Sequence, residues 1–358
     1  MGNPLIIPIF LPHVGCRHRC IFCNQKSVAT EVLSPSGVRE SLAASLKGFP
    51  PDQTRQRQVA FYGGSFTAIP KMDQTAYLKE VQPFLSSGEI DSVRVSTRPD
   101  ALDTERLSLL KDYGVKTVEV GAQSMDKDVL LLAHRGHSPE EVSSAVYRLR
   151  GKGFEVGIHL MIGLPGDSLE RFLRTLDLVI GLKPDFVRIH PTLVLKGAPL
   201  EGLWRKGTYS PLTVDQSIQW LKRGILELEA SSVPVARIGL QAAKELEASY
   251  LAGPYHPAFR QLVDSEIFFD MATRLLETHR GGPKLTFFCH PKEVSNVRGQ
   301  KNRNIRRLSE RFGIESILVK ERRDIPRGAL IMQTPEGEAI GPGESLRFRG
   351  PNSRFSPT

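Results

Sequence analysis

Six times in the first 190 residues, a short run of β-branched and aliphatic residues gives way to an amphipathic stretch. The apolar runs are Ile6–Leu11, Val59–Tyr62, Val93–Ser96, Thr117–Gly121, Glu155–Ile162 and Phe186–His190. Helical patterns separate them, over Val38–Leu46, Asp73–Leu85, Asp103–Tyr113, Lys127–His134, Pro139–Gly151 and Ser168–Gly181, with Ser168 placed to cap the last. Strand–helix alternation predicts a parallel sheet covered by helices. Six units fall short of a closed eight-unit barrel, so the fold expected is α/β, a partial (β/α)6 TIM-like barrel. Its reactive side chains should lie in the loops that follow the strand C-terminal ends.

The first of those loops carries Cys16, Cys20 and Cys23 in a C-x3-C-x2-C spacing, while Cys289 is far away. Closely spaced thiolates hold iron–sulfur clusters. Three of them can fill three corners of a [4Fe–4S] cube and leave the fourth iron open to a small molecule. The spacing alone also admits structural zinc, with His13 or His18 completing the shell, or thiols without a role.

Four cysteines in 358 residues do not make a disulfide scaffold, and a thiolate-bound cluster needs a reducing compartment. The first twelve residues are apolar but lack a basic leader and are interrupted by Pro4, Pro8 and Pro12. They make a poor signal peptide, and no uninterrupted apolar run reaches the roughly 20 residues of a membrane span. A cytoplasmic protein with no membrane partner is expected. The net charge of +9 attracts polyanions, RNA among them.

Gly63-Gly64-Ser65-Phe66 ends the second strand. Paired glycines let backbone approach a ligand, or simply allow a tight turn. Taken in order, Cys16–Cys23, this Gly-Gly strand end and the Gly163-Leu-Pro strand end resemble a radical S-adenosylmethionine (SAM) enzyme. Ser96-Thr-Arg-Pro-Asp100, Val118-Glu-Val-Gly-Ala-Gln-Ser124, His134-Arg-Gly-His137 and Pro191-Thr-Leu-Val-Leu-Lys-Gly197 sharpen this. They resemble the radical SAM part of the catalytic subunit of Elongator, which modifies the tRNA wobble uridine. The resemblance covers about residues 5–215. It implies that Cys16, Cys20 and Cys23 ligate a [4Fe–4S] cluster whose open iron is chelated by SAM. Gly63, Gly64 and Ser65 would meet the SAM amino group, Gln123 its ribose and Arg135 its carboxylate. Phe22 and Ile162 would pack near adenine. His159 stands where coproporphyrinogen-oxidising relatives carry a carboxylate, and is either a SAM or substrate contact or a core histidine. Glu119 binds ribose if it points into the barrel and packs on a helix if it points out. The cofactors supply the chemistry, reductive cleavage of SAM to a 5′-deoxyadenosyl radical, and the reducing electron would come from a donor such as flavodoxin or ferredoxin.

No glycine-rich acetyl-CoA loop of the Elongator subunit is recognisable, so acetyl transfer is in doubt. Instead, Leu285–Phe288, Pro291–Val297, Gly299-Gln-Lys-Asn302, Asn304–Phe312 and Ile314–Val319 read as strand, helix, tight turn, helix and strand. That is the order of a small α+β, KH-like RNA-binding module, with Asn302 in place of the second glycine. Ten basic residues against four acidic ones lie between Arg298 and Arg327. Gly299, Lys301, Arg303, Arg306 and Arg307 are the candidate RNA contacts, against a solvated helix face. Cys289-His290 reads as a substrate-side hydrogen donor, a weak metal site or a thiol without a role.

The domains expected are a radical SAM partial barrel over 1–235, a helical extension over 236–281, the basic KH-like module over 282–330, and a tail over 331–358. The function expected is a radical SAM enzyme acting on RNA, specifically tRNA. Two alternatives stand beside it: a coproporphyrinogen-oxidase-like or other small-molecule enzyme, and a noncatalytic RNA-binding or cluster-sensing protein.

Overall fold

Strands and helices alternate through the first half of the chain as their patterning requires. The structure, a computed structural model, describes residues 4–16, 19–24, 32–48, 55–240, 243–279, 282–334 and 337–341. His18 and most of the expected tail lie outside them. The chain divides into two compact units, Met1–Thr213 with Leu240–Tyr255, and Val214–Gly239 with His256–Thr358.

The first unit is built on β1 (Leu5–Leu11), α1 (Pro35–Lys47), β2 (Arg57–Gly63), α2 (Lys71–Ser86), β3 (Ser92–Thr97) and α3 (Thr104–Asp112). It continues with β4 (Val115–Gln123), α4 (Lys127–Leu132), α5 (Pro139–Gly151), β5 (Glu155–Ile162), α6 (Leu169–Gly181) and β6 (Phe186–Pro191). These six strands lie side by side in chain order, every pair parallel. This is the partial barrel expected. Its helices start where side chains satisfy their orphan N–H groups: Ser34, Asp103, Asp126 and Ser168 each cap one. Ser138 and Glu141 form a reciprocal capping box at the start of α5.

Side chains alternate across a sheet, and here the two faces differ sharply. Ile7, Ile9, Val59, Phe61, Val93, Val95, Val118, Val120, Val156, Ile158, Leu160, Val187 and Ile189 are all buried on one face. Each is worth roughly 1.5–3 kcal/mol relative to exposure. The other face carries Gln58, Tyr62, Arg94, Glu119, His159, Arg188 and His190. The unit is completed by β7 (Val194–Leu195), α7 (Pro199–Arg205), α9 (Lys244–Ser249) and β9 (Tyr250–Ala252), with β7 and β9 antiparallel.

The second unit contains α8 (Val214–Ala230), β8 (Val235–Ile238), α10 (Phe259–Thr278), β10 (Lys284–Cys289), α11 (Val294–Arg298), α12 (Arg303–Phe312), β11 (Ser316–Glu321), β12 (Leu330–Thr334) and β13 (Gly337–Ile340). A four-stranded sheet runs in the order β11-β10-β12-β13, with β10 and β11 parallel. The strand–helix–turn–helix–strand order expected for the C-terminal module is therefore present. The helical extension expected over 236–281 is broken by β9, because Gly253 at φ +109° and the following Pro254 cannot continue a helix. No helix among the described residues is long and apolar enough to cross a membrane.

Candidate active site

The cysteine loop leaves β1 and is held by backbone bonds to three motifs distant in sequence. Ser65 N donates to Val14 O at 2.8 Å, Ile21 N to Ala133 O at 3.2 Å, and Leu200 N to Ile21 O at 2.8 Å. Asn24 Nδ2 donates to Lys196 O at 2.6 Å. Gly64 makes the first contact possible. A Cβ on it would stand 1.9 Å from the Val14 carbonyl oxygen, and one on Gly15 would stand 2.2 Å from that of Ser65. The glycines let two loops interlock.

Around this junction buried polar groups converge. Cys20 is buried, while Cys16 and Cys23 are partly exposed. Arg135 is 5% exposed; its Nη1 donates to Cys20 Sγ at 2.9 Å and its Nη2 to Gly121 O. Gln123 ends β4 in a left-handed conformation, φ +69°, unusual for a residue with a side chain. A Cβ on Gly121 would lie 3.1 Å from Gln123 Nε2 and 3.4 Å from Arg135 Nη2, so the missing side chain lets those two groups meet. His137 Nε2 bonds Ala122 O at 3.2 Å. Burial, then Arg135 and Arg98, push the His137 pKa down to about 3. Burial and the neighbouring Cys20 raise the Cys16 thiol, against Arg98, Arg135 and the Ser65 N–H. Four buried atoms here lack a hydrogen-bond partner: Arg98 Nη1, Gln123 Oε1, Arg135 Nε and His137 Nδ1.

These features fit a thiolate-held cluster with a polar small molecule beside it. The donor set is soft sulfur, cations offset its charge, and the orphaned atoms await partners. Among the described residues, no three His, Cys, Asp or Glu side chains gather as a single metal ion requires. A cuboidal cluster takes one thiolate per iron corner and spreads them wider.

The remaining candidates are placed as follows. Ser65 is fully buried, its hydroxyl 3.0 Å from that of Thr97. Phe22 packs with Met161 against Ile21, Leu164 and Tyr209. Ile162 is fully buried, and strand alternation sets it on the opposite face of β5 from Met161 and His159. His159 Nε2 lies 3.0 Å from His190 Nδ1, the rings edge to face. Burial and Arg188 push His159 down to about 4. Glu119 faces into the barrel. It accepts from Arg94 at 2.8 Å, Tyr62 at 3.0 Å and Arg188 at 2.9 Å. Burial opposes its ionisation, but Arg188 and Arg94 prevail and hold its carboxyl below the usual range. Sequence reasoning did not single out Arg94, Arg98, His137, Met161, Arg188 or His190, although Arg98 and His137 lie within motifs it quoted.

In the second unit, Gly299, Lys301 and Asn302 all have positive φ, and they turn the chain tightly between α11 and α12. Asn304, 2% exposed, anchors the turn by donating to Ser265 O at 2.7 Å. Lys301, Arg303 and Arg306 are exposed. Arg307 is engaged by Glu266 at 2.7 Å and lies over the Phe269 ring. Arg311, Arg322 and Arg327 pair with Glu277, Asp324 and Glu293. Cys289 is fully buried, and burial with Glu293 and Glu321 pushes its thiol up to about 12. His290 Nδ1 accepts from the Lys292 N–H, which caps the turn after β10.

Comparison with known proteins agrees with this geometry. The profile of the Radical SAM superfamily matches residues 10–179, and that of the Radical_SAM C-terminal domain matches 184–268. An uncharacterised protein of Methanocaldococcus jannaschii is 30% identical over 57% of this chain and 66% of its own length. A tRNA uridine(34) acetyltransferase of Methanocaldococcus infernus is 27% identical over 60% of this chain and 48% of its own. The solved structure of archaeal M. infernus Elp3 with an N-terminal deletion superposes with a TM-score of 0.58 at 19% identity, covering 77% of this chain and 64% of that one. The chain thus spans between 48% and 66% of the length of these relatives.

Proposed function

Because the chain belongs to the radical SAM superfamily and is an enzyme of that superfamily, whose members use a [4Fe–4S] cluster and SAM, we propose that it modifies RNA, specifically tRNA. When bound, the cluster and SAM supply a 5′-deoxyadenosyl radical, which abstracts a hydrogen atom. In this reading Cys16, Cys20 and Cys23 hold the cluster. Arg135 and Gln123 offer their partnerless Nε and Oε1 to the carboxylate and ribose of SAM. A guanidinium suits a carboxylate. Gly63, Gly64 and Ser65 bring backbone to the amino group. Phe22 supplies apolar surface near adenine, whereas Ile162, fully buried on the face of β5 opposite His159, belongs to the core packing. His159, held neutral beside His190, lines the barrel and is placed to contact SAM or substrate. The observation that carries the cofactor assignment is the orphaned, buried Nε of Arg135 on the same guanidinium that donates to the Cys20 sulfur. A cytoplasmic, reducing compartment suits such a site, as does a one-electron donor such as flavodoxin or ferredoxin.

Two observations support RNA as the substrate. A relative that matches over 60% of this chain is named for tRNA uridine(34). The left-handed turn Gly299–Asn302 presents exposed Lys301, with Arg303 and Arg306 following it, a form that suits a phosphate backbone. Anaerobically reconstituted protein with dithionite and SAM should release 5′-deoxyadenosine, and tRNA should be retained with an affinity that falls steeply with salt. Replacing Lys301, Arg303 and Arg306 with alanine should weaken that retention and lower the salt slope by about two to three. Retention unchanged in this variant would remove the module from the RNA-binding surface. No retention by the wild type would remove RNA altogether.

A further inference from the structure

Arg98 lies just beyond β3, within the Ser96–Asp100 motif, and no role has yet been given to it. Its backbone N–H donates to Ser65 Oγ at 3.2 Å. The Ser65 backbone in turn locks onto the cysteine loop: its N–H donates to Val14 O at 2.8 Å, and its carbonyl lies 2.2 Å from where a Gly15 Cβ would stand. Ser65 therefore joins Arg98 to the loop that carries Cys16. The guanidinium forks onto Asp100, Nε to Oδ1 at 2.9 Å and Nη2 to Oδ2 at 3.0 Å. That fork fixes the plane of the group and leaves Nη1 as its remaining nitrogen. The side chain is only 7% exposed, and Nη1 is buried without a hydrogen-bond partner. A buried N–H left without an acceptor is costly, the more so when charged. Such an arrangement calls for an anion opposite it.

We propose that Arg98 Nη1 donates a hydrogen bond to the sulfur-borne charge at the Cys16 corner of the bound cluster and makes that cluster easier to reduce. Reduction adds one electron, taken from an external donor, and so increases the negative charge on the sulfurs. Hydrogen bonds to those sulfurs stabilise the reduced form more than the oxidised one and raise the potential. Asp100 holds the fork, so that the charge-assisted donor does not rotate away. The inference rests on the cluster assignment above.

The test is an anaerobic, EPR-monitored redox titration of reconstituted wild type, Arg98→Gln, Arg98→Lys and Asp100→Asn, with iron, sulfide and SAM affinity measured on each. EPR reads only molecules that carry a reduced cluster, so incomplete loading does not distort a midpoint. At a fixed poise, the reduced fraction should fall roughly threefold to tenfold in Arg98→Gln, the size of one net hydrogen bond. Arg98→Lys should recover part of the loss, and Asp100→Asn should show a smaller fall in the same direction. A loaded Arg98→Gln with the wild-type potential overturns the inference, and if its SAM affinity has dropped, Nη1 serves the SAM carboxylate instead. If Arg98→Gln takes up no cluster, Asp100→Asn decides: an unchanged potential overturns the inference. A wild type that takes up no iron and sulfide overturns the cluster assignment, and this inference with it.

Discussion

Arg135 Nη1 lies 2.9 Å from the sulfur of Cys20, although 115 positions separate the two residues in the chain. The link depends on the left-handed His134 and Gly136 that flank the arginine and on the bare Cα of Gly121. One guanidinium thus touches the Cys20 sulfur and still keeps Nε for an anion. Arg135→Met should weaken SAM binding by at least about tenfold, since a charge-assisted hydrogen bond contributes roughly 1.5–3 kcal/mol. Anaerobic equilibrium dialysis checks this. Unchanged SAM affinity in a fully loaded variant would remove Arg135 from the SAM site.

Gly64→Ala tests the interlocked loops. The new methyl would sit 1.9 Å from the Val14 oxygen, which is backbone and cannot swing aside. Overpacking of this kind costs about 1–3 kcal/mol, and it falls on the segment that delivers Cys16. Thermal unfolding should come several degrees lower, and iron content after reconstitution should drop. Gly202→Ala in α7, where a Cβ meets nothing within 4 Å, should instead be neutral or stabilising by up to about 1 kcal/mol.

Much of the barrel was legible in the sequence because each apolar run is short and every helix from α1 to α6 except α2 carries its own cap, as at Ser138 and Ser168. The polar lumen was legible only in part. Parallel strands covered on both faces read as continuous apolar runs. Val93-Arg-Val-Ser96, Val118-Glu-Val-Gly121 and Val187-Arg-Ile-His190 alternate instead. That period of two announces a polar face without saying which groups meet on it. Glu119 could therefore be read as facing either way until Arg94 and Arg188 were seen to close on it. Arg98 was hidden for a different reason. Its relation to the cysteine loop runs through Ser65, 33 positions away, and no local pattern encodes such a contact. The strand at 250–252 was missed because Lys244–Ser249 is helical up to its first residue.

The Glu119 network makes a prediction about acid. Glu119 is 3% exposed and Arg94 7%, so removing the charge strands two guanidiniums in the lumen. Glu119→Gln should destabilise the protein by about 3–5 kcal/mol at neutral pH, read by chemical denaturation. The carboxyl is held below its ordinary value in the fold. Its contribution is therefore present above that ordinary value and is lost as pH falls through the lowered one. The gap between wild type and Glu119→Gln should stay constant from pH 8 to about 5 and shrink below about pH 4. A gap that does not change with pH would mean that lost packing, not the charge, causes the destabilisation.

His137 works in the same sense over a higher pH range. Burial with Arg135 and Arg98 depresses its folded pKa to about 3, against about 6.5 in the unfolded chain. Above pH 6.5 neither state is protonated and the histidine imposes no pH dependence. As pH falls below 6.5 the unfolded state takes up a proton that the folded state refuses, and stability drops by up to about 1.4 kcal/mol per pH unit. His137→Gln removes that proton while offering an N–H to the Ala122 carbonyl that His137 Nε2 now bonds. The variant should be modestly destabilised at pH 7.5, yet lose less stability than the wild type between pH 6.5 and 4. Unfolding midpoints at matched ionic strength check this, and parallel curves for the two proteins would show that His137 is not the group that titrates.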